Sequence, residues 1–271
     1  SGKHNDEQVL KKTAVSLVHG LLGRVPTRTI PLSDHVARFV ARYGRIDPSK
    51  MTRIYYGIDR TPFEEAAVAE PAAKLELRRS LGFAEDDIVF ICVARFAAQK
   101  AHDVLLRAFA SAQKTNPKLR LLLVGGDPFG DGVERAQALS RELKLEGRVV
   151  FAGIRRDVPA LLAASDVFVM ASLWEGLGLV FLEAMATQMP VLATDVSAVP
   201  EVVIDGETGR LVAPGEDEPL RGAFLELGSD AGLRARWAEA GAARVAEHFT
   251  LERMWEETLA VYEEVDRAAR S

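Results

Sequence analysis

The chain has 271 residues, 48% of them apolar, 27% charged, with a formal net charge of -5. This is enough for one large domain or two small ones around a sizeable core, and it excludes a disordered chain or a nucleic-acid protein. The single cysteine, Cys92, lies inside an apolar run, so no disulfide closes within the chain. Its thiol reads as core filler in a reducing compartment rather than as a nucleophile. The opening SGKHNDEQ is too polar for a signal peptide, and Ser1-Gly2 without a Met has the look of a trimmed chain. No apolar run approaches the roughly 20 residues that span a bilayer. A cytoplasmic location is the expectation.

Charge is unevenly spread. Residues 1–60 hold eleven Lys and Arg against five acids, a formal +6, which leaves -11 for the remainder. A basic front suits anionic lipid headgroups, as in a peripheral membrane contact, or an anionic acceptor. The plainer reading is a solvated helix face.

In chain order, residues 8–22 have the apolar spacing of a helix, and 28–32 (RTIPL) read as a short strand, at an edge because of Pro31. Ser33 caps a helix that Gly44 ends. TRIYYGID reads as a strand running into a glycine turn. Residues 61–73, rich in Ala, Glu and Pro without a clear period, read as a linker. The pattern then changes. AAKLELRRSLG is a helix. Five apolar runs (DIVFICVAR, LRLLLVGG, RVVFAG, DVFVMAS, PVLATD) alternate with helices at AHDVLLRAFASAQKT, DGVERAQALSRELK, VPALLAA and LGLVFLEAMATQ. Residues 217–248 and 251–269 are helical. Such alternation predicts an α/β fold, a Rossmann-like parallel sheet with helices on both faces.

In an open parallel sheet, ligands bind beyond the carboxyl ends of the strands. That rim holds Arg95, Gly125-Gly126, Gly153-Ile154, Ser172, Trp174, Glu175 and Asp195. Arg95 and Lys100 are separated by a four-residue loop before a helix. A guanidinium fork beside a mobile ammonium suits a diphosphate. The spacing serves equally an Arg paired with a nearby acid beside a solvated Lys. In SLWEGLGLVFLEAMA, Gly176 and Gly178 let backbone N–H groups approach a ligand where a helix begins. Glu175 lies in that loop and Glu183 two turns into the helix, suited to vicinal hydroxyls. An exposed helix Glu is the alternative for Glu183, but Leu, Val, Phe, Ala and Met surround it, and a Glu in so apolar a helix usually has a specific partner.

These residues resemble the family 4 retaining glycosyltransferases of GT-B fold. RIYYGID, VARFAAQK, WEGLGLVFLEAMATQMPVLATD and EVVIDGETGRLV are similar, in order, to four blocks of that family over roughly residues 28–269. The Glu-x7-Glu block with its glycine pair is the specific one. The resemblance implies that Arg95 and Lys100 bind the donor diphosphate, that Glu175 holds hydroxyls of the transferred sugar, and that Glu183 holds the ribose. It also implies that Gly153 and Ile154 lie against the base and that Gly176, Gly178 and Leu179 meet phosphate or sugar oxygens. The implied reaction passes a hexosyl group from a UDP-, GDP- or ADP-sugar to a hydroxyl of a carbohydrate or lipid-linked acceptor, with retention. No metal or other cofactor is expected and no nucleic acid.

Two departures are local: Tyr56 stands where the family usually has Asn, and Ala101 where it usually has Gly. The larger one is at the front, where only the tail of the family's first domain has a counterpart. His4 and His19 are read as surface or packing residues, not as the histidine of that domain. Residues 1–60 are then the tail of an incomplete N-terminal acceptor domain, 61–73 a linker, and 74–250 the nucleotide-sugar-binding domain. Residues 251–271 form a helix crossing back toward the N-terminal domain, with an apolar face open to self-association or to a partner N-terminal domain. The chain is then a split or partial glycosyltransferase, a compact enzyme, or a non-catalytic nucleotide-sugar-binding or assembly module; an epimerase or phosphorylase is more remote.

Overall fold

The computed structural model describes residues 27–127 and 130–270. The helix expected at residues 8–22, His4 and His19 lie outside the described residues. Six parallel strands form one sheet: β1 (Ile88–Val93), β2 (Leu119–Val124), β3 (Val149–Gly153), β4 (Val167–Met170), β5 (Val191–Thr194) and β6 (Gly209–Val212). Their order is β3-β2-β1-β4-β5-β6, so the connection direction reverses between β1 and β4. The expected α/β Rossmann-like sheet is what forms. β6 was expected only as part of a turn. Its four residues run beside β5 from Val191↔Gly209 to Thr194↔Val212, too short a stretch for its own period to announce a strand.

Side chains alternate across each strand, so every core strand feeds two cores. Val89 and Ile91 of β1 point to one face with Leu122, Phe168, Met170 and Val191. Phe90 and Cys92 point to the other with Leu121, Leu123, Val169 and Leu192. This is why the strands read as continuous apolar runs. The first face is covered by α6 (Val158–Ala163) and α7 (Leu179–Ala186), with Phe168 and Phe181 edge to face at 5.6 Å. The second is covered by α4 (His102–Thr115) and α9 (Asp217–Ser229), where Phe224 meets both Phe90 (4.7 Å) and Phe109 (5.6 Å). Each of these buried rings is worth about 1.5–3 kcal/mol.

The remaining described helices are α1 (Asp34–Gly44), α2 (Thr61–Ala67), α3 (Pro71–Ser80), α5 (Gly132–Glu142), α8 (Val199–Val202), α10 (Ala231–His248) and α11 (Leu251–Arg270). Ser33 caps α1 as expected, its Oγ accepting from Val36 N at 3.1 Å. The helix ends at Gly44, as the sequence indicated, and Arg45 takes the left-handed conformation (φ 53°) that closes it. Residues 61–73 are helical rather than an irregular linker: Pro62 and Pro71 each sit in a first turn, where the missing N–H costs nothing. The single helix expected over 217–248 is two. Asp230 breaks it and caps the second part, its Oδ1 accepting from Leu233 N at 2.7 Å.

Residues 28–32 and 51–58 do not reach full strands. Thr29 bridges Met51 in parallel and Ile58 bridges Thr250. Ile54 N donates to Pro31 O at 3.1 Å, and Ile58 N to Phe249 O at 3.1 Å. Gly57 is fixed by contact: a Cβ there would lie 2.0 Å from Thr250 O. At the amino-terminal edge of the sheet, Arg78 of α3 donates to Asp166 (3.2 Å), whose Oδ2 also accepts Val89 N at 2.7 Å. That edge is closed by ion pairs, which leaves the carboxyl edge open for chemistry.

Candidate functional site

At the reversal point, the loops after β1 and β4 are stitched together by Gln99. Its backbone carbonyl accepts from Leu173 N at 2.8 Å, and its Nε2 donates to Trp174 O at 2.7 Å. This stitch brings Lys100, at the end of a 3-10 turn (Ala98–Lys100), onto Glu175. Ala101 follows in left-handed backbone (φ 45°), the conformation for which glycine is the ordinary residue.

Glu175 is 5% exposed. Its Oε1 accepts from Lys100 Nζ and from Ser172 Oγ, the latter at 2.6 Å, and its backbone N donates to Ser197 Oγ at 3.2 Å. Ser172 is held in turn by Thr194 Oγ1, which donates to its carbonyl at 2.5 Å. A carboxylate this buried is tolerable only because an ammonium and a hydroxyl meet it. Its second oxygen has no protein partner among the described residues, so one acceptor remains available.

A pocket of about 370 Å³ opens beside it, lined by Glu175, Gly176, Leu177, Gly178 and Leu179 on one side and by Leu32 and Tyr56 on the other. Gly178 takes φ 75°, and a Cβ there would stand 2.5 Å from the Phe181 ring. No side chain caps the helix that starts at Leu179, so its first N–H groups remain for a ligand. Glu183 lies one turn into that helix, nearer its start than expected. Burial among apolar neighbours pushes its carboxyl above the usual range. It has no hydrogen-bond partner among the described residues, so the specific partner expected from the sequence is not supplied by protein groups there.

The other expected residues lie along the same rim. Arg95 is exposed and has no ion-pair partner among the described residues. It is therefore not the Arg paired with a nearby acid, and Lys100 is not a solvated Lys. Gly153 ends β3 with φ 66°, its carbonyl accepting from Gly125 N at 2.8 Å. Ile154 is 78% exposed, and a Cβ on Gly126 would stand 3.0 Å from it. Cys92 is fully buried and its thiol is pushed up to about 12 by burial, which suits a core residue.

Sequence reasoning missed Gln99, Thr194 and Ser197, and did not pair Leu32 and Tyr56 with the loop. Ser197 has left-handed backbone (φ 50°), and the small Ser-Ala pair after β5 was its one signal. For Gln99 no signal exists, because its role depends on a loop 75 residues away.

The family profile "Glycosyl transferases group 1" matches residues 73–244. Among curated proteins, the chain is 35% identical over 227 residues to a D-inositol 3-phosphate glycosyltransferase of Stackebrandtia nassauensis, covering 80% of this chain and 49% of that protein. It is 31% identical over 236 residues to a GDP-mannose-dependent alpha-(1-6)-phosphatidylinositol monomannoside mannosyltransferase of Mycolicibacterium smegmatis, covering 81% and 60%. The chain thus spans about half the length of these relatives. Among solved structures, Anabaena HepE in complex with UDP-glucose superposes with a TM-score of 0.86 at 25% identity, covering 98% of this chain and 71% of that one. The sheet and the expected GT-B C-terminal half therefore agree with the family match, and the chain belongs to the group 1 glycosyl transferases.

Proposed function

We propose that this chain is the donor-binding region of a retaining glycosyltransferase, taking a nucleotide-diphospho-sugar for hexosyl transfer to an acceptor hydroxyl. The observation that carries this reading is the Lys100–Glu175–Ser172 cluster, with one carboxylate oxygen left open toward a pocket beside an uncapped helix start. In it, Glu175 accepts hydroxyls of the sugar while Lys100, shared between Glu175 and the diphosphate, works with exposed Arg95 to offset charge. As transfer proceeds, the bond from the anomeric carbon to the diphosphate oxygen breaks with its electron pair on the diphosphate, the acceptor oxygen bonds the same carbon, and the acceptor's hydroxyl proton passes to the departing diphosphate oxygen. Two cations placed there take the part that a divalent ion plays elsewhere, which makes the site metal-independent on this reading. Glu183 accepts from the ribose hydroxyls, Gly178 and Leu179 present N–H groups, and Ile154 beside Gly153 backs the base. UDP, GDP and ADP sugars all fit these contacts.

The domain division follows the same reading: residues up to 60 belong to the acceptor side, 61–73 connect, 74–250 hold the donor, and 251–271 return toward the acceptor side. Acceptors are carbohydrates or lipid-linked sugars. Arg38, Arg42 and Arg45, all exposed at helical spacing, support peripheral contact with anionic headgroups on the cytoplasmic side. No described helix is long and apolar enough to cross a membrane.

A second reading is a non-catalytic binding module, because transfer draws on groups from both halves of such a site whereas binding needs only one. Calorimetric titration with UDP, GDP, ADP and their glucose or mannose conjugates tests the donor site. Selective binding of one nucleotide, weakened on the order of tenfold by Glu183→Ala, is expected. No binding to any of them would overturn the proposal. Binding without multi-turnover nucleotide release, even beside an added acceptor domain, would select the module.

A further inference from the structure

Glu201 opens the block EVVIDGETGRLV but carries none of the roles assigned above, yet its carboxylate collects three hydrogen bonds from one distant part of the chain. Oε2 accepts from Asp34 N (2.7 Å) and from the Tyr55 hydroxyl (3.1 Å), and Oε1 accepts from His35 N (2.7 Å). Asp34 and His35 supply the first two amides of α1, so a carboxylate from α8 caps the positive end of a helix more than 160 residues earlier.

The gripped residues are sequence neighbours of the pocket wall. Leu32 lies two residues before Asp34, and Tyr56 follows Tyr55; both line the pocket opposite Glu175–Leu179. Glu201 itself is held firmly. Arg244 donates to the carbonyls of Glu201 (2.8 Å) and Val202 (2.9 Å), and Glu201 N donates to Ala198 O at 3.0 Å. Four residues before Glu201, Ser197 accepts from Glu175 N. One short segment, residues 197–201, therefore touches the backbone of Glu175 at one end and the opposite wall at the other. Tyr55 is further fixed by Phe249 (ring centroids 5.1 Å) and by Arg53 lying 3.9 Å over its ring.

We infer that Glu201 is a positioning residue that sets the Leu32–Tyr56 wall over the Glu175–Leu179 loop, and so governs how the sugar of the donor, rather than its nucleotide, is held. The inference rests on the donor-site reading above. Nucleotide contacts in that reading come from Arg95, Lys100, Ile154 and Glu183, none of which bonds Glu201 or lines the pocket under the wall it holds. Glu175, the contact of the sugar, does line that pocket.

The test combines hydrogen exchange read by mass spectrometry with calorimetry, on the wild-type chain, Glu201→Ala and Glu201→Gln. UDP, GDP and ADP and their glucose conjugates are the probes. In Glu201→Ala, exchange across residues 34–36 and 54–56 is expected to speed up on the order of tenfold or more. Affinity for the free diphosphate should change by less than about twofold, while affinity for its sugar conjugate falls on the order of tenfold. Glu201→Gln, which keeps one acceptor oxygen and the side-chain volume, should fall between. Equal loss for diphosphate and conjugate would overturn the inference, as would unchanged exchange at 34–36. If the wild-type chain binds no nucleotide, the donor-site reading itself fails, and the exchange arm still decides whether Glu201 holds the wall.

Discussion

Glu183 illustrates how a residue proposed for binding burdens the fold. Its carboxyl is raised by burial and meets no donor among the described residues. A carboxyl raised in the folded state favours the neutral form there, so its contribution to stability is lost as pH rises above the ordinary carboxylate value. Once ionised, the buried carboxylate costs the folded chain stability. Glu183→Gln is therefore expected to stabilise the free chain by about 1 kcal/mol while weakening nucleotide binding, read by thermal melts with and without nucleotide. His102 has the opposite dependence. It is 7% exposed, stacked on Phe96 at 4.2 Å, and lowered to about 4 by burial and by Lys100. The unfolded chain binds a proton at this residue below about 6.5, whereas the folded chain does so only near 4. Stability is thus lost as pH falls through that window, by up to about 3 kcal/mol. His102→Phe should flatten the urea-unfolding profile between pH 6.5 and 4; an unchanged slope would assign the loss to other groups.

At the scale of elements, the strands and the long helices were legible because burial on both faces, or on one stripe, leaves a continuous mark in the sequence. β1 and α4 were read correctly for that reason. Element ends were less legible. The left-handed residue after α1 is Arg45, not Gly44, since Gly44 is buried in the helix while Arg45 is exposed. A non-glycine side chain in that conformation carries strain of about 1 kcal/mol, so Arg45→Gly should raise stability by about 0.5–1 kcal/mol, visible as a higher urea midpoint. Residues 61–67 did not announce a helix because α2 is short and leans on neighbours rather than on an amphipathic period, whereas α3 was legible from residue 72 onward. The break at Asp230 was missed because the apolar spacing continues across it. Only the capping bond from Leu233 N reveals the second start.

For the whole molecule, α11 is the exposed element. Trp255 (68% exposed), Leu259 (58%) and Tyr262 (68%) form a stripe along it, as the sequence led one to expect. Replacing Trp255 and Tyr262 by Lys should leave folding stability within about 0.5 kcal/mol, since neither side chain is buried, and should lower light scattering at high concentration. A large drop in stability would instead mean that the stripe packs on the chain itself. By itself, the sequence determined the parallel sheet, the rim where chemistry gathers and the types of residue there, because strand period and strand ends are local properties. Only the tertiary structure decided which of them meet. Lys100 and Glu175 pair because β1 and β4 are neighbours across the reversal point, and Glu201 reaches α1 because α8, between the last two strands, lies beside Asp34 and His35. Such contacts join groups more than 70 residues apart, and no local pattern encodes a distance that only the closed chain creates.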